Sequence, residues 1–129
     1  MADTAAGFGR ILVAIYATFA LAATARAGVQ LVTRFDEAPV AYLLSALSAV
    51  VYVVATVALA RNARRLALAA VLFEFVGVLV IGTLSILDAE AFPDETVWSD
   101  FGRGYLFIPL VLPLVGLWWL RRTSPAATN

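Results

Sequence analysis

The sequence predicts an all-α membrane protein, a bundle of four transmembrane helices with both termini in the cytoplasm. Of its 129 residues, 63% are hydrophobic and 14% are charged, whereas a soluble domain has about 45–50% apolar and about 25% charged residues. Four stretches are also long enough to cross roughly 30 Å of hydrocarbon, which takes about 20 apolar residues per helix. Composition and span length together therefore indicate a polytopic membrane protein.

The four predicted spans fill most of the chain and are joined by short connections. They comprise residues 11–33, 40–60, 66–87 and 101–120. The connections at 34–39 and 61–65 are tight turns, and residues 88–100 form an acidic loop. The whole chain, residues 1–129, is therefore expected to be a single four-helix transmembrane domain.

The fourth span and the loop before it contain residues that are unusual in a plain membrane helix. Pro109 and Pro113 each remove a helix hydrogen bond, so a kink is expected within the fourth span. Phe92 and Trp98 give the acidic loop two large aromatic side chains. They indicate that the loop dips into the membrane interface or rests on a partner.

The distribution of arginine predicts the orientation of the bundle. Four spans place most of the basic residues on one side of the membrane, namely Arg10, Arg61, Arg64, Arg65, Arg121 and Arg122. The opposite side carries Arg34 and Arg103 together with the acidic loop. Because short loops rich in Lys and Arg stay in the cytoplasm, we expect a multi-pass protein of the cytoplasmic (inner) membrane. Both termini are then cytoplasmic, and the acidic loop faces outward.

Polar residues inside the spans form the candidate site, because ionisable groups within a membrane are costly and often functional. Glu74 lies nine residues after Arg65, which places it roughly 13 Å into the membrane. Tyr52 and Thr18 lie near the same depth. A carboxyl at that depth is expected to be neutral and hydrogen-bonded to a hydroxyl. Its function would be that of a proton or cation relay or of a site for a cationic substrate. The alternative is a structural group that holds helices together.

Arg26 and Gln30 place further polar groups in the outer part of the first span. They are four residues apart, so they share one face of the helix. The Cα atoms of Arg26 and Glu74 differ in depth by roughly 10 Å, which disfavours a direct ion pair. Arg26 is instead expected to reach an outer acid such as Asp88, a carbonyl of the fourth span, or a lipid headgroup. The alternative is an outward-facing polar cavity for an anionic or quinone-like group.

The composition also argues against several classes of protein. The chain has no cysteine and no histidine, which excludes disulfides, thiolate metal sites and histidine-based zinc or haem sites. Its formal net charge is zero, which gives no indication of a nucleic-acid partner. The sequence also lacks a nucleophile–base arrangement and a glycine-rich phosphate loop. We therefore predict no catalytic residue, no cofactor and no metal site.

Three segments, Phe73–Leu79, Thr96–Gly102 and Tyr105–Trp119, resemble a group of small four-span integral membrane proteins of high-GC Gram-positive bacteria. The stretch Ile108–Pro113 is the most distinctive part of the resemblance. The group has no assigned activity, so the resemblance implies a four-span fold and nothing about function.

Three functional interpretations follow from these observations. We favour a non-enzymatic accessory or structural component of a membrane complex, whose partners are the lipid bilayer and other membrane subunits or a second copy of the chain. The alternative is a small oligomeric proton-coupled transporter that uses Glu74. The third interpretation is a membrane enzyme or quinone-site protein that uses Arg26, Gln30 and Glu74.

Overall fold

The structure is a computed structural model that describes residues 2–33, 36, 39–88, 90 and 98–123. These residues form helices joined by turns, with no strand among them, so the prediction of an all-α chain is confirmed. The main elements of this described part are α1 (Ala2–Thr33), α2 (Pro39–Ala60), α3 (Arg64–Leu87), a 3₁₀ segment (Ser99–Tyr105) and α4 (Ile108–Arg122).

Three helices, α1, α2 and α3, are long and apolar enough to cross a membrane. At 1.5 Å per residue, α2 and α3 are about 33 and 36 Å long, and a hydrocarbon core is about 30 Å thick. α1 begins before the predicted first span and has 32 residues, or about 48 Å. Its first turns therefore extend beyond its apolar part.

The predicted fourth span, residues 101–120, is not a single helix. The 3₁₀ segment and α4 reach the length of a span only as a pair, and they are bent by 96° relative to each other. The bend lies at Leu106 and Phe107, whose φ angles of 59° and 60° are left-handed. Pro109 is in the first two positions of α4, where a missing N–H costs no helix hydrogen bond. The expected kink therefore precedes both prolines and does not lie within a continuous helix.

The core of the bundle contains residues of all four helices. α1 packs mainly on α2, whereas α3 packs on α2, on α4 and on the 3₁₀ segment. The buried face of α1 recurs every three or four residues, as an amphipathic helix requires. It comprises Leu12, Tyr16, Phe19, Ala20, Ala23, Ala27 and Gln30. α2 faces α1 and contributes the small buried residues Ala41, Ser45 and Ala49. Small side chains let two helices approach closely, which fits the extensive packing of α1 on α2.

The turn between α2 and α3 is closed by backbone hydrogen bonds. The N–H of Ala63 donates to the carbonyl of Ala58 over 2.8 Å, and the N–H of Asn62 donates to the carbonyl of Leu59 over 3.3 Å. Asn62 has a left-handed φ of 55°. This pattern is a Schellman motif, and asparagine adopts its left-handed position at a lower cost than most residues. The motif ends α2 and directs the chain into α3.

Helix ends that carry many of the arginines meet at one end of the bundle, which we call the basic end (residues 7–13, 57–67 and 117–123). A cavity there is lined by the start of α1, the end of α2, the start of α3 and the end of α4. Arg64 holds two of these helices together, because its Nη1 donates to Thr123 Oγ1 over 3.2 Å and its Nη2 donates to the carbonyl of Leu120. Because starts and ends of successive helices meet at this end of the bundle, α1, α2, α3 and α4 run in alternating directions.

Candidate functional site

Glu74 lies in the core of the bundle and has 0% of its surface exposed. It is on the inward face of α3, one turn from the buried residues Val71 and Val78. The hydroxyl of Tyr16 donates a hydrogen bond of 2.6 Å to Glu74 Oε1, whereas Oε2 has no hydrogen-bond partner among the described residues. A charged carboxylate would lose its hydration in such a place at high cost. The geometry therefore fits a neutral carboxyl whose Oε1 accepts the bond from Tyr16.

Tyr52 brings α2 to the same place, and Trp98 covers it from the loop before the 3₁₀ segment. The Tyr52 hydroxyl is close enough to the Glu74 carboxyl to interact with it as a hydrogen-bonding group, although Oε2 makes no well-formed hydrogen bond among the described residues. The ring centroid of Tyr52 lies 6.2 Å from that of Tyr16. Trp98 Nε1 donates a hydrogen bond of 3.1 Å to the Tyr52 hydroxyl. We call these four residues, Tyr16, Tyr52, Glu74 and Trp98, the buried polar cluster.

The indole of Trp98 packs directly on the backbone of α3. A Cβ atom at Gly77 would lie only 2.6 Å from the Trp98 ring, so the ring occupies space that only a glycine leaves open. Gly82 receives the ring of Phe101 in the same way. Trp98 is 1% exposed, so its side chain lies inside the bundle. Phe92 and much of the acidic loop lie outside the described residues. The expectation that this loop dips into the membrane interface or rests on a partner therefore stays a prediction.

Arg26 lies at the far side of a group of aromatic rings from Glu74. Its Nη1 donates a hydrogen bond of 3.3 Å to the hydroxyl of Tyr105, a partner that was not among those predicted. Phe19 lies between the two polar regions, with its ring centroid 5.7 Å from those of both Tyr52 and Tyr105. The guanidinium of Arg26 thus links α1 to the 3₁₀ segment.

Gln30 and Thr18 complete the predicted site residues. Gln30 is buried on α1, one turn beyond Arg26. Thr18 is exposed, and its hydroxyl donates to the carbonyl of Ala14 over 2.8 Å. Because Thr18 follows Tyr16 by two residues, the two side chains point about 200° apart around the helix. The structure therefore brings Tyr52 close to Glu74 and leaves Thr18 on the outer surface. The hydroxyl of α1 that bonds to Glu74 belongs to Tyr16 instead of Thr18.

Sequence reasoning missed Tyr16 and Trp98, for different reasons. Tyr16 shares the helical repeat of the buried face of α1, and that periodicity distinguishes it from Thr18. Trp98 has no comparable signal, because it reaches the core from a loop. The nearest hint is Gly77, which lies one turn after Glu74 on α3.

Comparisons with known proteins leave the chain without an assigned relative. No protein-family profile matches it, and no curated protein or solved structure is significantly similar. The resemblance to small four-span membrane proteins stays a prediction. Among the described residues, no group of three or more acidic side chains lies close enough to hold a metal ion.

Proposed function

We propose that this chain is a non-enzymatic integral membrane protein that acts as an accessory or structural component of a membrane complex. The observation that carries the proposal is the hydrogen bond from Tyr16 to the fully buried Glu74. It joins α1 to α3, and the bond between Trp98 and Tyr52 joins α2 to the same cluster. The fully buried carboxyl of α3 is thus engaged in contacts between helices, as a structural role requires.

The proposal includes four crossings of the cytoplasmic membrane, with both termini inside. α1, α2 and α3 cross as single helices, and the 3₁₀ segment with α4 makes a broken fourth crossing. Irregular backbone is tolerated at membrane depth where it is buried in protein, and the packing of Phe101 on Gly82 supplies such burial. The arginines of the basic end support a cytoplasmic location for that end.

A second candidate function is proton-coupled transport by a small oligomer. It is supported by the Oε2 atom of Glu74, which has no hydrogen-bond partner in the described part of the chain. In a neutral carboxyl this oxygen carries the proton, so it is the atom from which a proton would leave.

Two substitutions at Glu74 separate these functions. Glu74→Gln keeps an oxygen that accepts from Tyr16 but has no acidic proton to release. Under the structural proposal, Glu74→Gln leaves thermal stability in detergent nearly unchanged. Glu74→Leu then lowers the free energy of unfolding by about 1–3 kcal/mol, because the Tyr16 hydroxyl loses its buried acceptor. Under the transport proposal, Glu74→Gln abolishes substrate-dependent proton flux in proteoliposomes although the protein stays folded.

The accessory role itself is tested by purification in a mild detergent followed by mass spectrometry. Stoichiometric recovery of other membrane subunits supports the proposal. Recovery of a homodimer alone, combined with proton flux that Glu74→Gln removes, contradicts it and favours the transporter.

A further inference from the structure

The basic end holds a cavity that the buried polar cluster does not use. The cavity has a volume of about 670 Å³ and lies between α1, the turn from α2 to α3, and the end of α4. Arg10 and Arg64 line it, and among the residues that the structure describes no carboxyl side chain does. Two positive charges that line one concave site attract an anion.

The lining of this cavity combines exposed polar residues with buried apolar ones. Arg10 and Asn62 line it and are exposed, whereas Leu12 and Ala67 line it and are almost fully buried. Val13 adds to the apolar wall. A free inorganic anion has no apolar surface that could pack against such a wall. A molecule with an anionic head and a hydrocarbon body matches both parts of the lining.

Arg64 is half-buried and is held in place by two hydrogen bonds. Its bonds to Thr123 and to the carbonyl of Leu120 use two of the five N–H donors of the guanidinium. The remaining donors belong to a planar group that is suited to bidentate contact with a phosphate. Arg64 also lines a second cavity of about 290 Å³, together with Arg65 and Arg121, so positive charge continues on its other side.

We propose that the larger cavity binds an anionic phospholipid. Its phosphate lies against Arg10 and Arg64, and its glycerol and the first part of an acyl chain lie against Leu12 and Val13. Basic pockets between membrane helices on the cytoplasmic side are suited to anionic headgroups, and this cavity adds an apolar wall that selects a lipid over a free phosphate.

Native mass spectrometry of the full chain in a mild detergent tests this proposal. We expect one phosphatidylglycerol molecule to bind more tightly than phosphatidylcholine, and inorganic phosphate in excess to leave its binding unchanged. Equal binding of the two lipids overturns the proposal. Displacement of the lipid by phosphate also overturns it, since the cavity would then be a site for a free anion.

Matched variants locate the binding site. Arg10→Gln should weaken phosphatidylglycerol binding about five-fold, the effect of one arginine near an anionic lipid. Arg61→Gln removes the same charge from the same end, but Arg61 does not line the cavity, so its effect should be much smaller. Val13→Phe fills part of the cavity without changing charge and should weaken binding as well.

The pattern of the three variants decides the outcome. If Arg61→Gln weakens binding as much as Arg10→Gln and Val13→Phe has no effect, the lipid is held by general surface charge and the proposed site is refuted. Thermal unfolding of each variant without added lipid shows whether a loss of binding reflects a loss of the fold. If Arg10→Gln unfolds early, Val13→Phe still tests the site. Arg10→Lys keeps the charge and should bind more lipid than Arg10→Gln when both are folded.

Discussion

Replacing Gly77 by alanine is expected to destabilise this protein, although the same change in the interior of most helices is stabilising. The new Cβ atom would lie 2.6, 2.8 and 3.0 Å from three carbons of the Trp98 ring, whereas carbons in good contact are about 3.5–4.0 Å apart. The ring is almost fully buried, and its Nε1 is bonded to the Tyr52 hydroxyl. It therefore cannot move aside without giving up that bond.

The magnitude follows from three opposing contributions to the free energy of unfolding. Alanine gains about 1 kcal/mol over glycine in a helix interior. Overpacking of a filled core costs about 1–3 kcal/mol, and loss of a hydrogen bond within a membrane protein costs about 0.6 kcal/mol. The net expectation for Gly77→Ala is a loss of roughly 0.5–2.5 kcal/mol.

Gly28 provides the matched control, because it is also inside a helix but a Cβ there meets no atom within 4 Å. Gly28→Ala should therefore leave stability unchanged or raise it by up to about 1 kcal/mol. Unfolding of both variants in the same detergent, followed by circular dichroism, measures the difference. If Gly77→Ala is as stable as Gly28→Ala, Trp98 does not pack on α3 as described. The packing of Trp98 on Gly77 also predicts that Gly77→Ala no longer destabilises the protein when Trp98→Ala is present.

Other contacts lead to further predictions. A double-mutant cycle of Tyr16→Phe and Glu74→Leu, measured by thermal or denaturant unfolding, should give a coupling energy of about 0.6 kcal/mol, and up to about 1.7 kcal/mol. A coupling energy near zero would show that the two side chains are not hydrogen-bonded. Asn62→Gly should be at least as stable as the parent chain, whereas Asn62→Val should lose about 1–2 kcal/mol because valine resists a left-handed φ; equal stability of the two variants argues against the Schellman motif. Asp94, which lies outside the described residues, tests the orientation. The chain has no cysteine of its own, so Asp94→Cys should react with a membrane-impermeant maleimide in intact cells. Reaction only after lysis would reverse the proposed topology.

The helical class and the position of the apolar stretches were predictable because membrane insertion imposes strong constraints on sequence. A helix that satisfies its own backbone hydrogen bonds and presents about 20 apolar residues is visible in hydropathy alone. The fourth span shows where this reasoning stops. Its hydropathy fits one helix, but the chain bends at Leu106 and Phe107, and neither residue carries a local signal for a left-handed conformation.

The sequence itself determined how deep Glu74 lies in the bundle, because depth along a helix follows from counting residues at 1.5 Å each. The same counting places most of the arginines at one end of the helices. The partners of Glu74 were decided only by the tertiary structure. Tyr16 and Thr18 differ little in depth, and the rotation of α1 alone determines which of them meets the carboxyl. The bond between Trp98 and Tyr52 joins residues 46 positions apart, so it exists only once a loop has packed against α3. Depth is a property of one helix, whereas lateral contact depends on how several helices are rotated and packed together.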